Sequence, residues 1–220
     1  DIWGRAGKHV SQVIEQCMSE EPHGRHGPGV VSETSDATRK REVLWYNPRL
    51  RPFSDFFFKT PDNTGGWLRN IPQYQNARVL LVPKDHKTLR VISAEPAQTQ
   101  FVQQGVRSCI EKAMKRHKVL RHIDITDQQK QRNLLKRGNV ATIDLSCASD
   151  TIRVKHLLLL RLPLEHRDYL LSLRTPMQVF RGNVLPTQGL FPMGSAVCFP
   201  FETLLFFLLA REYTLAETGK

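Results

Sequence analysis

The sequence predicts an α+β fold, and three observations carry that expectation. Two apolar runs, "ARVLLVP" and "LRVISAEP", are joined by the polar "KDHKT", the pattern of a β-hairpin. Apolar residues recur at helical spacing in Val10, Val13, Ile14, Cys17 and Met18, and again in Phe101, Val102, Val106, Cys109, Ile110, Ala113 and Met114. Strands and helices mix without a regular βαβ repeat, which is the α+β pattern, and no internal repeat is visible.

Taken in order, the first helix gives way to "EEPHGRHGPGVVSETSDATRKRE", rich in glycine, proline and mixed charge, which reads as loop. "REVLWY" has the composition of a strand and "TPDNTGG" that of a turn, while Phe53, Phe56, Phe57 and Phe58 form an aromatic run suited to anchoring this region on a core. The hairpin over 77–94 follows, then a long helix ending in "KRHK", whose positive charge suits the C-terminal end of the helix dipole. Asp127 is placed to cap a second helix closed by Gly138. The short run Val140-Ala141-Thr142-Ile143 predicts a buried strand that ends on Asp144. Beyond it the spacing predicts a Leu-rich helix over about residues 151–162, another over 164–173, a hairpin with "RGN" at its tip, and a largely buried helix from near Ser195.

A chain of 220 residues with 40% hydrophobic content can bury a proper core. Its 32 Lys and Arg against 21 Asp and Glu give a formal charge of +11, an excess that most often serves a polyanion, nucleic acid first. A membrane is the competing partner, but the most apolar run, 199–210, is interrupted by Glu202 and too short to span a bilayer. Cys17, Cys109, Cys147 and Cys198 have no paired spacing, which argues against a disulfide framework or zinc site and fits a reducing cytoplasm. The chain opens on Asp1 without a methionine or signal peptide and stops at Lys220 just past an apolar helix, the look of a piece of something longer.

Four constellations could carry chemistry, each with a plainer alternative. Asp144, at the end of a strand, is fixed as a hard divalent cation requires of an oxygen ligand; a solvated acid at a strand–loop junction is the plain reading. Ser149 and Asp150 precede "TIRVKHLLLL" and could simply cap that helix. Lys84, Lys87 and Arg90 on the hairpin can converge on a triphosphate, with the Arg90 guanidinium offering a planar fork, or can be ordinary solvated charges. In "FPMGSAVCFPFET", Gly194 permits unusual backbone angles and close approach by a ligand, and Ser195 is either part of such a site or a plain N-cap. His23 and His26 in "HGRHGPG" lack partners at ligand spacing, so that loop is read as structural or as touching RNA backbone.

The order "PKDHKTLRVISAEP", a helix with "QQG", "DLSCASD" and then "MGSAVCFPFET" resembles the RNA-directed RNA polymerases, the replicase catalytic subunits, of single-stranded RNA bacteriophages, the levivirus group. The similarity runs from about His23, where "HGPG" belongs to it, to about Arg211. It implies a right-hand architecture of fingers, palm and thumb, with residues 1–76 an N-terminal fingers-like region, 77–138 fingers carrying the basic hairpin, and 139–220 part of the palm. By the same resemblance Asp144 and the backbone of Leu145 would hold catalytic Mg2+, with Asp144 the catalytic residue. Ser149 and Asp150 would lie near the incoming ribose, Lys84, Lys87 and Arg90 would hold the nucleotide triphosphate, and Gly194 and Ser195 would form a mobile loop by template and ribose. The implied partners are viral RNA template and product, ribonucleoside triphosphates and host translation factors such as elongation factors Tu and Ts, in the cytoplasm of the bacterial host.

Elementary chemistry agrees with those roles. Attack of a primer 3′-hydroxyl on the α-phosphate suits two metals about 4 Å apart, the leaving pyrophosphate needs cations, and selecting ribose needs polar groups at the 2′-hydroxyl. The sequence departs from the expected pattern in three respects, one being that Asp144 and Asp150 are separated by five residues where other polymerases have closer spacing. It contains no Gly-Asp-Asp, so that motif and the thumb are expected beyond Lys220, and the last helix opens Ser195-Ala196-Val197-Cys198 with no Asn to read the sugar. The alternatives are a noncatalytic basic RNA-binding protein, such as a translational repressor, and another palm polymerase such as a reverse transcriptase. The first predicts RNA binding indifferent to Asp144; the second predicts use of deoxyribonucleotides.

Overall fold

The computed structural model describes residues 1–42, 47–53, 76–121, 123, 125–138, 140 and 143–219. The turn "TPDNTGG", Phe56, Phe57, Phe58 and all but the first two residues of "REVLWY" lie outside these, and Arg41 and Glu42 fall in a 3-10 turn.

The α+β expectation holds. Helix α1 spans Ile2–Ser19 and starts where the Asp1 carboxylate accepts the Trp3 N–H at 3.1 Å. Helix α2 spans Ala97–Arg116 and helix α7 Cys198–Thr218. These three long helices pack on one another through Val10 and Ile14 of α1, Val106 and Ile110 of α2, and Leu204 and Leu208 of α7, all fully buried. Glu212 of α7 is buried and would be costly unpaired; Arg5 of α1 binds it at 2.9 Å and Arg211 adds a second partner. Phe53 is buried against the Tyr169 ring, 4.9 Å between centroids, so the first residue of the aromatic run does anchor its segment.

The hairpin is strands β1, Ala77–Pro83, and β2, Leu89–Ala94, antiparallel from Arg78 opposite Ala94 to Pro83 opposite Leu89. Strands β3, Met177–Phe180, and β4, Asn183–Pro186, form the second hairpin, turning on Arg181 and Gly182 at φ +50° and +82°. The two hairpins join in one sheet of order β2-β1-β3-β4, through a short parallel contact of Ala77 with Gln178 and Arg78 with Val179.

Shorter helices fill the rest: α3, Gln128–Leu135, directly after Asp127; α4, Ala148–Thr151; α5, His156–Leu159; and α6, Leu164–Ser172. Two sequence expectations need correction here. The helix over 151–162 is not continuous: Ile152 is extended, its carbonyl accepts the Leu190 N–H at 2.7 Å, and Arg153 bridges Gly189, so tertiary pairing breaks the run into α4 and α5. Of the strand expected over 140–143, Ala141 and Thr142 lie outside the described residues, and the described Val140 and Ile143 are not in a strand. Val140 and residues 143–145 have no regular structure, and Ile143 is 81% exposed. A strand requires a ladder partner for its N–H and C=O groups, and none of the four described strands pairs with this segment.

Candidate functional site

The basic hairpin is built rigidly up to its tip. Asp85 accepts the N–H groups of Lys87 and Thr88, each at 2.8 Å, and the Thr88 hydroxyl at 2.5 Å. Those bonds, the Thr88 hydroxyl foremost, hold the Asp85 carboxyl below its usual range, so it stays ionised and the turn stays closed. Lys84, Lys87 and Arg90 are therefore displayed from an ordered turn and strand, all of them exposed to solvent.

Met193, Gly194 and Ser195 sit against the base of the same hairpin. The Ser93 N–H of β2 donates to the Met193 carbonyl at 2.7 Å. Gly194 has φ +113°, and a Cβ placed on it would stand 2.2 Å from the Ser93 carbonyl oxygen. Only glycine fits, as the sequence suggested, although the close neighbour is the β2 backbone. Ser195 is not the N-cap of α7; that position is Val197, without a side-chain cap. The Ser195 side chain is instead buried, its hydroxyl without a hydrogen-bond partner among the described residues.

Capping is likewise ruled out for Ser149 and Asp150, which lie inside α4. Its N-cap is Cys147, at φ +54°, whose carbonyl accepts the Asp150 N–H at 3.0 Å. Ser149 is buried and Asp150 exposed. The Asp150 carboxylate is close enough to α7 to act on its first turns: burial, then the charge of Asp150, raises the Glu202 carboxyl. Burial, then Glu202 and Asp150, pushes the Cys198 thiol up to about 12. Asp150 thus stands by the helix that the Gly194 loop introduces.

Asp144 and Leu145 are exposed on the irregular segment leading into α4. No hydrogen bond or ion pair joins Asp144 to the basic hairpin or the Gly194 loop among the described residues, and no cluster of three or more His, Cys, Asp or Glu there has metal-binding geometry. In the "HGRHGPG" loop, the His26 ring lies 5.1 Å from Phe101, and Lys40, itself buried, donates to the carbonyls of Gly27 and Gly29. That is a structural loop tied to α2.

Sequence reasoning passed over the polar groups beneath the Gly194 loop. Gln103 is fully buried; its Nε2 donates to the Leu173 carbonyl at 2.8 Å and its Oε1 accepts the Ala196 N–H at 3.1 Å. Glu95, just past β2, is 1% exposed and accepts the Thr175 hydroxyl. Burial raises its carboxyl to about 7 against the opposing effects of Thr175, Gln103 and Arg174. The one available signal was Gln103 in the apolar stripe of α2, four residues after Thr99 and three before Val106.

Residues 65–220 match the family described as RNA replicase, beta-chain. The chain is 35% identical over 140 residues to the RNA-directed RNA polymerase subunit beta of Enterobacteria phage SP, covering 61% of this chain and 23% of that protein. It is 31% identical over 170 residues to the RNA-directed RNA polymerase beta chain of Enterobacteria phage GA, covering 75% and 30%, and 29% identical over 163 residues to that of Escherichia phage MS2, covering 68% and 29%. The chain thus spans less than a third of the length of these relatives.

Proposed function

Because the chain belongs to the RNA replicase beta-chain family, we propose that it supplies the fingers and the first part of the palm of an RNA-directed RNA polymerase that copies a viral positive-strand RNA. In this reading residues 1–76 and 77–138 are fingers and 139–220 the palm portion, within a right hand completed by segments that carry a Gly-Asp-Asp turn and a thumb. Template and product RNA and ribonucleoside triphosphates are its ligands. Host translation factors are its partners, in the bacterial cytoplasm. Among the described residues no helix is long and apolar enough to cross a membrane.

The observation that carries the reading is the junction of β2 with the Gly194 loop. The Ser93–Met193 hydrogen bond makes the phosphate-holding hairpin and the ribose-facing loop one unit, with Asp150 beside the helix that follows. On that frame Lys84, Lys87 and Arg90 take the triphosphate oxygens through charge-assisted bonds, and Arg90 serves as the two-pronged donor. Asp150 and Ser195 meet the ribose hydroxyls, and Ser149 supports Asp150 from within α4.

Magnesium fits the donors offered. It binds through one or two carboxylates and completes its shell with water and substrate phosphate, and Asp144 is an exposed residue next to Leu145, also exposed. These two would hold it. When bound it lowers the barrier at the attacking and leaving oxygens. Asp144→Asn in the complete replicase is therefore expected to cut nucleotide addition by about two orders of magnitude or more, with RNA affinity nearly unchanged. Primer extension at saturating magnesium with a near-normal rate refutes the assignment.

A further inference from the structure

We propose that Gln103 is a positioning residue for nucleotide selection: its buried side-chain amide latches the Gly194–Ser195 loop at Ala196 and so sets where the Ser195 hydroxyl stands relative to the basic hairpin. The inference rests on the reading of that loop as nucleotide-facing.

The geometry allows one orientation of the amide. Ala196 offers only a donor and Leu173 only an acceptor, so Oε1 must face the first at 3.1 Å and Nε2 the second at 2.8 Å. A rigid helix, α2, thereby grips the end of the loop and, with the same side chain, the segment entering β3. The other side of the loop is gripped by β2, through Ser93 N–H to Met193 O at 2.7 Å, and the Ser195 N–H closes on Pro192 O at 3.0 Å. Between these grips the Ser195 hydroxyl is sealed from solvent and, among the described residues, without a hydrogen-bond partner, as is the Ser93 hydroxyl. Unsatisfied polar atoms beside a glycine at positive φ describe a conformation that gains by rearranging when a polar ligand arrives. For Ser195 to reach a ribose, the loop must leave its seat. The bond from Ala196 to Gln103 is what that movement breaks on the helix side, so Gln103 governs how far and how readily the hydroxyl is delivered.

The test is made in the complete replicase, with kcat/KM for ribonucleotide and deoxyribonucleotide addition measured side by side. Gln103→Met keeps the volume and removes both bonds, and is expected to lower the ribose-to-deoxyribose ratio about tenfold, the size of effect that follows when a buried N–H loses its acceptor. RNA affinity should change less than about twofold, because no charge on the RNA-binding surface is altered. A purely structural loss would reduce the active fraction and leave the ratio intact. Should Gln103→Met not fold, Gln103→Glu serves instead. Its protonated carboxyl can make both bonds and its carboxylate cannot donate to Leu173, so the ratio should recover as pH is lowered; because the Glu95 carboxyl faces the same side chain, the series is read against the parent over the same pH range, and a ratio equal to the parent's throughout overturns the inference. Ser195→Ala separates the two layers of argument. If it shifts the ratio and Gln103→Met does not, the latch is wrong and the loop assignment stands. If Ser195→Ala leaves the ratio unmoved, the nucleotide-facing loop falls and takes the latch with it.

Discussion

Glu95 shows what a single buried acid imposes. Its carboxyl is shielded on nearly every side and faces the Thr175 hydroxyl, the Gln103 amide and the more distant Arg174 guanidinium, which is itself occupied with the carbonyls of Gly189 and Thr187. Burial dominates, so the folded protein keeps the proton to about pH 7, whereas the group ordinarily releases it near 4.5. Across that window the unfolded chain loses a proton that the folded chain retains. The stability this group contributes is therefore full below about pH 4.5 and is lost as pH rises to about 7. Burial also raises Glu33, which adds to the same trend. Glu95→Gln removes one titrating group, and chemical denaturation across this range should show a slope shallower by up to about 1.4 kcal/mol per pH unit. An unchanged slope would mean that Glu95 is ionised in the fold. None of this was legible locally, because "SAEP" looks like any strand end and the desolvation comes from distant segments.

Among the elements, α1 owes its place to a residue without a side chain. Gly7 lies where α1 passes over the end of α5, and a Cβ there would stand 1.8 Å from the Leu160 carbonyl oxygen, a backbone atom that cannot swing aside. Gly7→Ala should therefore destabilise the protein by about 2–3 kcal/mol through overpacking, despite the better helix propensity of alanine, as a thermal or urea melt would reveal. A melt equal to or higher than the parent's would show that α1 and α5 can separate without cost. The helices were legible because their apolar periodicity is local: Val10, Val13, Ile14 and Cys17 all lie on the buried face of α1. The 151–162 run misled for the opposite reason. Its composition is helical, but Ile152 and Arg153 pair with residues 189 and 190, and a main-chain partner nearly forty positions away is invisible in a local pattern.

At the scale of the whole molecule, the charge of +11 is, in the proposed reading, the first influence in any encounter with RNA, ahead of specific contacts. Neutralised phosphates release counterions, so affinity should fall steeply with salt. In the proposed arrangement the exposed hairpin tip contributes to that fall. Replacing Lys84 and Lys87 together by alanine should reduce the slope of log affinity against log salt by about 1.4, at about 0.7 for each phosphate contact with single-stranded RNA. A filter-binding series over a range of potassium concentrations measures this, and an unchanged slope would take the hairpin off the RNA path.

The sequence by itself determined the α+β class, the basic hairpin, the long helices, the backbone freedom available at Gly194 and the resemblance to phage replicases. Each is written in local spacing or in an ordered set of motifs. Only the tertiary structure decided that β1 lies beside β3, that Gly194 rests on Ser93, that Asp150 stands by Glu202, and that Gln103 and Glu95 are buried beneath the loop. It also decided that residues 143–145 are exposed and irregular. The difference is physical: helix and turn preferences are set by neighbours within a few positions. Burial, strand pairing and the desolvation of a polar group depend on which distant segments the chain brings together.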